Sequence, residues 1–236
     1  MNTYNRKIIV ASVACDREYG PAVQASRETC YKNIPSNMSV YFLYGHRDGI
    51  DIERNQQKVI GNDFYCDFIE SKENMTFKTI EFYDWCLENL DFDYIYRVSG
   101  NCYYDLDLLN SCVEEMNIPY SKAWYCHNEF PAGGPNHLCA GGIGLLSRDL
   151  IAHIVKQKHR LISSFFHGPH QDDAAMGRLL CAEQGICPKR LENPEVHISP
   201  KDINEKTIDD KSIMYRFRQT NNPECFYKIY DIKNDS

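Results

Sequence analysis

Residues 7–13, KIIVASV, set the strongest limit on the fold: a β-branched run without polar alternation suits a strand covered on both faces. It predicts the opening strand of a parallel sheet, whose neighbours must be joined by crossover helices. The chain supplies them. After CDREYG, the stretch PAVQASRETCYKN carries apolar residues at helical spacing, with Pro21 suited to a first helical turn, and SVYFLYG (39–45) follows as a second strand. Beyond a polar stretch, FYCDF (64–68) predicts a short strand, MTFKTIEFYDWCLENL an amphipathic helix, and YIYRV (94–98) another buried strand.

The second half continues the alternation: helix DLDLLNSCVEEMN, strand AWYCH, a Gly- and Pro-rich loop, and CAGGIGLLSRDLIAHIVKQ as a strand entering a helix. HGPHQ leads into helix DDAAMGRLLCAEQG, then a strand around VHIS and a polar tail over 201–236 without a strong period. No repeat or dividing linker interrupts it. The expected fold is a single α/β/α sandwich with a central mixed, mostly parallel sheet and its ligand crevice at the carboxyl ends of the strands.

Composition narrows the function. The 236 residues, 43% hydrophobic, suffice for a substantial core, and a net charge of −7 without a basic block argues against a nucleic-acid partner. Eleven scattered cysteines, odd in number and never spaced C-x-x-C, predict reduced and mostly buried thiols. The apolar run near the N-terminus is too short for a signal-peptide core or a membrane span, and no later stretch does better, so a soluble cytoplasmic protein is expected. The sequons at Asn37 and Asn74 therefore receive little weight.

Four segments carry candidate chemistry. The exit of YIYRV is SGNCYYDLD (99–107), placed to face the crevice; its Asp105 and Asp107 suit a helix start, with metal binding as the alternative. Asp172 and Asp173 stand behind two histidines at a helix entrance, where one acid can cap the helix while the other serves as a base, or both can satisfy the first turn. Gly141, Gly142 and Gly144 allow close backbone approach to a ligand or a tight bend, and Ser147 is the expected N-cap of RDLIAHIV. His197 lies in the strand-like EVHISP.

Taken in order, these pieces resemble glycosyltransferase family 31, the fringe and β-1,3-galactosyl and N-acetylglucosaminyl transferase group, of GT-A fold. SRETCYKN with VYFLYG is similar to its R-x-T-W helix and F-L-x-G strand, and DFIESKENMTFKT to its D-F-x-D-x-Y-x-N-L-T-x-K-T segment, with Lys72 replacing the tyrosine. CAGGIGLLSRDL is similar to S-G-G-G-Y-x-L-S-R, and QDDAAMGRLLCAEQGI to the acidic pair and its hydrophobic helix. The match spans residues 7–199. One departure stands out: the D-D-D or D-x-D signature aligns on Ser99, Gly100 and Asn101, which are S-G-N.

The resemblance implies one glycosyltransferase domain over 1–236, with a nucleotide-binding half (1–100), an acceptor and catalytic half (101–200) and a C-terminal tail. The implied reaction is inverting transfer of a hexose from a UDP-sugar to a hydroxyl of a glycan or glycosylated acceptor. Asp173 takes the role of base beside Asp172. Donor contacts are expected at Ser12, Val13, Arg27, Lys78, Arg97, Ser99, Gly100, Asn101, Gly141 and Gly142, with residues 128–137 on the acceptor side. A divalent cation, manganese or magnesium, would rest on Asn101 and His197, or cationic side chains would replace it: Arg97, Lys78, Arg216 and Arg218. Two alternatives stand: a non-catalytic nucleotide- or glycan-binding protein of the same fold, and a metal-dependent hydrolase using His137, His167, His170, Asp172 and Asp173.

Overall fold

The computed structural model describes residues 6–46, 57–70, 74–127, 129–132, 136–139, 144–163, 176–192, 195–217 and 222–234. Through the first half run β1 (Ile8–Val13), α1 (Asp16–Glu28), β2 (Met38–His46), β3 (Gln57–Ile60), β4 (Asp63–Ile69), α2 (Met75–Asn89) and β5 (Tyr94–Ser99). Next come β6 (Cys102–Tyr104), α3 (Leu106–Glu115), β7 (Trp124–Cys126), β8 (Glu129–Ala132), β9 (Asn136–Cys139), β10 (Gly144–Ser147), α4 (Arg148–Lys156) and α5 (Lys158–Ser163). A π-helical stretch (Arg178–Glu183) precedes β11 (Lys189–Arg190), β12 (Glu195–Ile198), β13 (Met214–Phe217) and α6 (Glu224–Asn234).

Eight strands form one sheet in the order β11-β7-β10-β5-β1-β2-β4-β3. β1 lies parallel to both β2 and β5, and β2 parallel to β4, whereas β10 runs antiparallel to β5 and β7. The sheet is therefore mixed and mostly parallel, as expected. Its two faces are covered by separate layers because successive strand residues point to opposite sides. Ile8, Val10, Tyr94 and Tyr96 pack with α1, α3 and α6, while Ile9, Ala11, Val13 and Ile95 pack with α2, α4 and Leu179 to Leu180. Aromatic groups dominate: Phe82 lies against Phe64 and Trp85, and burial of each such ring contributes about 1.5–3 kcal/mol.

A second, three-stranded sheet has the order β12-β13-β6. Here the chain departs from the sequence expectation. The segment expected as a polar tail without a strong period carries regular structure: β13 is the central strand of the small sheet, and Phe226 of α6 packs edge-on against Phe217 at 5.0 Å. Helix α1 also starts earlier than Pro21, which sits inside it. Residues 129–132 and 136–139 form a short antiparallel pair, β8 with β9, where a loop was expected.

The cysteines divide. Cys181 and Cys187 are bridged, which corrects the expectation of thiols throughout. The π-helical stretch ends with Gly185 donating to the Cys181 carbonyl at 3.1 Å and Ile186 to that of Leu180 at 2.9 Å, and this reversal brings the two cysteines together. Cys30, Cys66, Cys86, Cys102, Cys112, Cys126 and Cys225 are buried thiols, as expected, and Cys15 is half-buried.

Candidate functional site

β1 and β5 end side by side, with Val13 in register with Ser99. The next residue, Gly100, donates its N–H to the Val13 carbonyl at 3.0 Å. A Cβ at Gly100 would stand 2.6 Å from that oxygen, so the S-G-N turn requires glycine at its centre. Ser99 Oγ donates to Asn101 Oδ1 at 2.7 Å, and the buried Tyr104 hydroxyl accepts from Ser99 N at 3.1 Å and donates to Ser99 O at 3.3 Å. Burial holds the Tyr104 phenol far above its ordinary pKa, so it stays a neutral clasp on the turn. Tyr104 meets the Tyr96 ring edge-on at 6.0 Å, and the Tyr96 hydroxyl is bonded to Nε2 of buried His127. The turn is thereby tied to the segment leading into β8.

From the turn, β6 carries the chain into the small sheet. Cys102 is in register with Arg216 of β13, and Arg216 with His197 of β12. The three residues form one row across the sheet, with Arg216 half-buried and His197 exposed. Asn101 and His197 thus belong to the same region, separated by an arginine-bearing strand.

The other candidates on the first half have defined surroundings. Lys78 is buried on α2; its Nζ donates to the Ala14 carbonyl at 2.7 Å and to Glu70 Oε1 at 2.6 Å, while Glu70 Oε2 accepts from Gly45 N at 2.6 Å. The lysine therefore bolts the exits of β1 and β2 together rather than standing open in the crevice. Arg27 donates to Asp63 and to the Tyr44 hydroxyl at 3.1 Å and lies 3.6 Å over the Phe42 ring, and despite its burial these partners raise its pKa further. Arg97 is buried within the sheet, in register with Ala11 and Gly144. The Ser12 hydroxyl is fully buried and faces the first core layer beside Tyr31, and Val13 and Ala14 after it are buried as well, their carbonyls accepting from Gly100 N and Lys78 Nζ.

Several structural readings hold. Asp105 caps α3, its Oδ1 accepting from Leu108 N at 2.9 Å and its Oδ2 from Lys233 Nζ at 2.7 Å. Ser147 occupies the N-cap position of α4, but its hydroxyl accepts from Ala123 N at 3.0 Å and bonds Asp149 instead of capping the helix. Asn37 Nδ2 donates to the Arg6 carbonyl and Asn110, and Asn74 Nδ2 to the Ile69 carbonyl. Gly144, with φ of +73° and a Tyr125 carbonyl 2.1 Å from any added Cβ, bends the chain into β10.

Asp172, Asp173, Gly141, Gly142, His167, His170 and Arg218 lie outside the described residues. His137 falls on β9. Two residues of the site were not singled out from sequence: Glu70, the partner of Lys78, and Tyr104, the clasp on Ser99. Both lie close in sequence to their partners, Glu70 eight residues before Lys78 and Tyr104 five after Ser99, but no motif marks either pair.

A cation bridging two phosphates takes oxygen ligands, carboxylates above all. Around the turn, the described residues offer the neutral Asn101 Oδ1, already accepting from Ser99 Oγ, and His197 beyond Arg216. Among the described residues no group of three or more His, Cys, Asp or Glu is placed to hold a metal ion. Taken over the described residues alone, this donor set lacks the carboxylates a divalent cation takes.

No protein-family model matches the chain. In sequence it is similar to UDP-GalNAc:beta-1,3-N-acetylgalactosaminyltransferase 2 of Mus musculus, 23% identical over 168 residues, and of Homo sapiens, 20% identical over 156. These matches cover 63% and 59% of this chain but only 32% and 29% of those proteins, so the chain spans about a third of the length of the curated relatives it matches. In structure it is similar to LgtC (TM-score 0.55, 11% identity, 94% of each chain) and to a glycosyltransferase involved in glycosylation of the major capsid of PBCV-1 (0.53, 10%, 97% of this chain and 99% of that one). The fold is GT-A. The glycosyltransferase GlyE of Streptococcus pneumoniae is a further structural neighbour, with TM-score 0.51 and 14% identity over 98% of this chain and 63% of that one. Likeness at these identities establishes the GT-A architecture alone, and among the described residues no helix is long and apolar enough to cross a membrane.

Proposed function

We propose that the chain is an inverting glycosyltransferase, moving a hexose from a UDP-sugar to a hydroxyl of a glycan or glycosylated acceptor. The observation that carries this reading is the place of Ser99 to Asn101. The residues that align with the acidic signature of glycosyltransferase family 31 stand at the carboxyl end of central strand β5, joined to the exit of β1. In an open α/β sheet that crevice receives the ligand. The named curated relatives, which use UDP-GalNAc by their description, support a nucleotide-sugar donor over the matched part of the chain.

In this mechanism the acceptor oxygen attacks the anomeric carbon from the face opposite the leaving group. Its proton passes to the Asp173 carboxylate, the bond from the anomeric carbon to the diphosphate oxygen breaks, and the electron pair leaves with the nucleoside diphosphate. Asp172 lies beside the base. Val13, Ala14 and the S-G-N turn line the donor side, and Lys78, Arg27 and Arg97 support it from below. Residues 128–137 flank the acceptor side. The same domain organisation follows: donor half 1–100, acceptor half 101–200, and a tail from 201 that completes the small sheet.

The test is transfer and donor hydrolysis with a panel of UDP-sugars, for wild type and Asp173→Asn. Loss of turnover of about 10²-fold or more in the variant with UDP binding unchanged is expected for a general base. The S-G-N replacement favours one second reading, a non-catalytic nucleotide-binding protein. Binding of UDP with no turnover by the wild type would establish it.

A further inference from the structure

Resting on the donor-binding reading above, we propose that Tyr104 is a positioning residue for the nucleotide-sugar donor: its hydroxyl sets the path of the Ser99–Asn101 turn, and through the turn the affinity for the donor. The first ground is the pair of bonds it makes. The Ser99 N–H donates to the Tyr104 hydroxyl at 3.1 Å, and that hydroxyl donates to the Ser99 carbonyl at 3.3 Å. Burial keeps the phenol protonated, so it can accept and donate at once. One side chain thus holds the peptide groups on both sides of Ser99, the residue that opens the turn. Because each peptide group is planar, fixing both fixes the direction in which Gly100 and Asn101 leave the sheet.

The second ground is what the hydroxyl stands in for. Gly100 donates toward β1, to the Val13 carbonyl at 3.0 Å, so the N–H and C=O of Ser99 face away from β1, toward the side on which β10 pairs with β5. The described pairing with β10 reaches Arg97, in register with Gly144, two residues short of Ser99. At Ser99 the Tyr104 hydroxyl supplies both the donor and the acceptor that a neighbouring strand supplies elsewhere in the sheet. Half-buried backbone groups need such partners, and here they come from a side chain only five residues downstream.

The third ground is that the hydroxyl is itself fixed. Tyr104 is in register with Met214 of β13, and the N–H of the following residue, Asp105, donates to the Ile213 carbonyl at 2.9 Å. The residue is 1% exposed, and its ring meets Tyr96 edge-on at 6.0 Å. The clasp therefore carries the position of the small sheet to the crevice. Tyr103, its neighbour on β6, points to the opposite face, against Tyr215 and Phe226, and is nearly as deep at 5% exposure. It is a matched phenol directed away from the turn.

Calorimetric titration of the full chain with UDP, in manganese and in EDTA, tests the assignment in wild type, Tyr104→Phe and Tyr103→Phe, with thermal melting of each. Both changes remove one hydroxyl and keep the ring, and each should lower the melting temperature by about 2–4 °C. Tyr104→Phe should also weaken UDP binding by about five- to tenfold, the loss of about one hydrogen bond's worth of alignment, whereas Tyr103→Phe should change it by less than about twofold. Amide hydrogen exchange of the wild type adds a readout that needs no variant: saturating UDP should slow exchange at Ser99 and Gly100. Should Tyr104→Phe fail to fold, that exchange carries the test. UDP binding that Tyr104→Phe weakens no more than Tyr103→Phe does, or that leaves the Ser99 and Gly100 amides unchanged, overturns the assignment but keeps the donor site. Absence of UDP binding by the wild type overturns both together.

Discussion

Lys78 and Glu70 form an ion pair withdrawn from solvent, with 2.6 Å between Nζ and Oε1 and side-chain exposures of 3% and 13%. Each partner also bonds a strand exit, Lys78 the carbonyl of Ala14 and Glu70 the N–H of Gly45. Removing one member leaves a charge without its partner in a place water barely reaches. Lys78→Met should cost about 3–5 kcal/mol, read as a lowered urea midpoint. The paired change Lys78→Met with Glu70→Gln should cost less than the sum of the single changes, and additive losses would show the two act separately.

Gly100→Ala places a methyl group 2.6 Å from the Val13 carbonyl and about 3.4 Å from Val23. The turn must shift away from β1 to admit it. A stability loss of about 1–3 kcal/mol and a rise in KM for the sugar donor are expected. Unchanged KM would show that the turn does not touch the donor.

Burial pushes the thiols of Cys30 and Cys66 up to about 12. In the unfolded chain they ionise near the ordinary value of about 8.5. The fold therefore gains stability from keeping them neutral below that pH, and this gain is lost as pH rises toward 12. Denaturant midpoints should fall from pH 8 to 10.5, by on the order of 1–2 kcal/mol per thiol at pH 10. Among the described thiols, Cys15 should react first with a thiol reagent at neutral pH.

The Cys181–Cys187 bridge closes a loop of six-residue separation. So short a loop restricts the unfolded chain modestly, and reduction should lower stability by about 2 kcal/mol. Mass spectrometry before and after reduction, paired with thermal melting, reads both the bond and its effect. A native mass corresponding to two free thiols would remove the bridge from the description.

Six of the eight strands of the main sheet were legible because buried apolar runs such as 7–13 and 94–98 leave few alternatives, whereas β3 and β11, four and two residues long, were not. The Asp105 cap was legible because acids at helix starts satisfy free N–H groups. The small sheet was hidden for a physical reason. Its strands are three or four residues long, too short for a period to show, and β6 pairs with β13 across more than a hundred residues. In α6, Cys225, Phe226 and Ile229 do carry helical spacing, a signal outweighed by the charged residues around them. At the candidate site the S-G-N turn was placed correctly from its strand. That Lys78 is spent on Glu70, and that Tyr104 closes on Ser99, depends on side chains brought together by folding.

The pairing of Cys102 with Arg216 also sets a clock on biogenesis. At about 5–20 residues per second, roughly 6–23 s separate synthesis of β6 from that of its partner. Through that interval the strand beside the turn has an open hydrogen-bonding edge, so the nascent chain holds a finished β1–β2 core next to an unfinished rim. Competence at this crevice arrives as a late event, after most of the main sheet has had time to form.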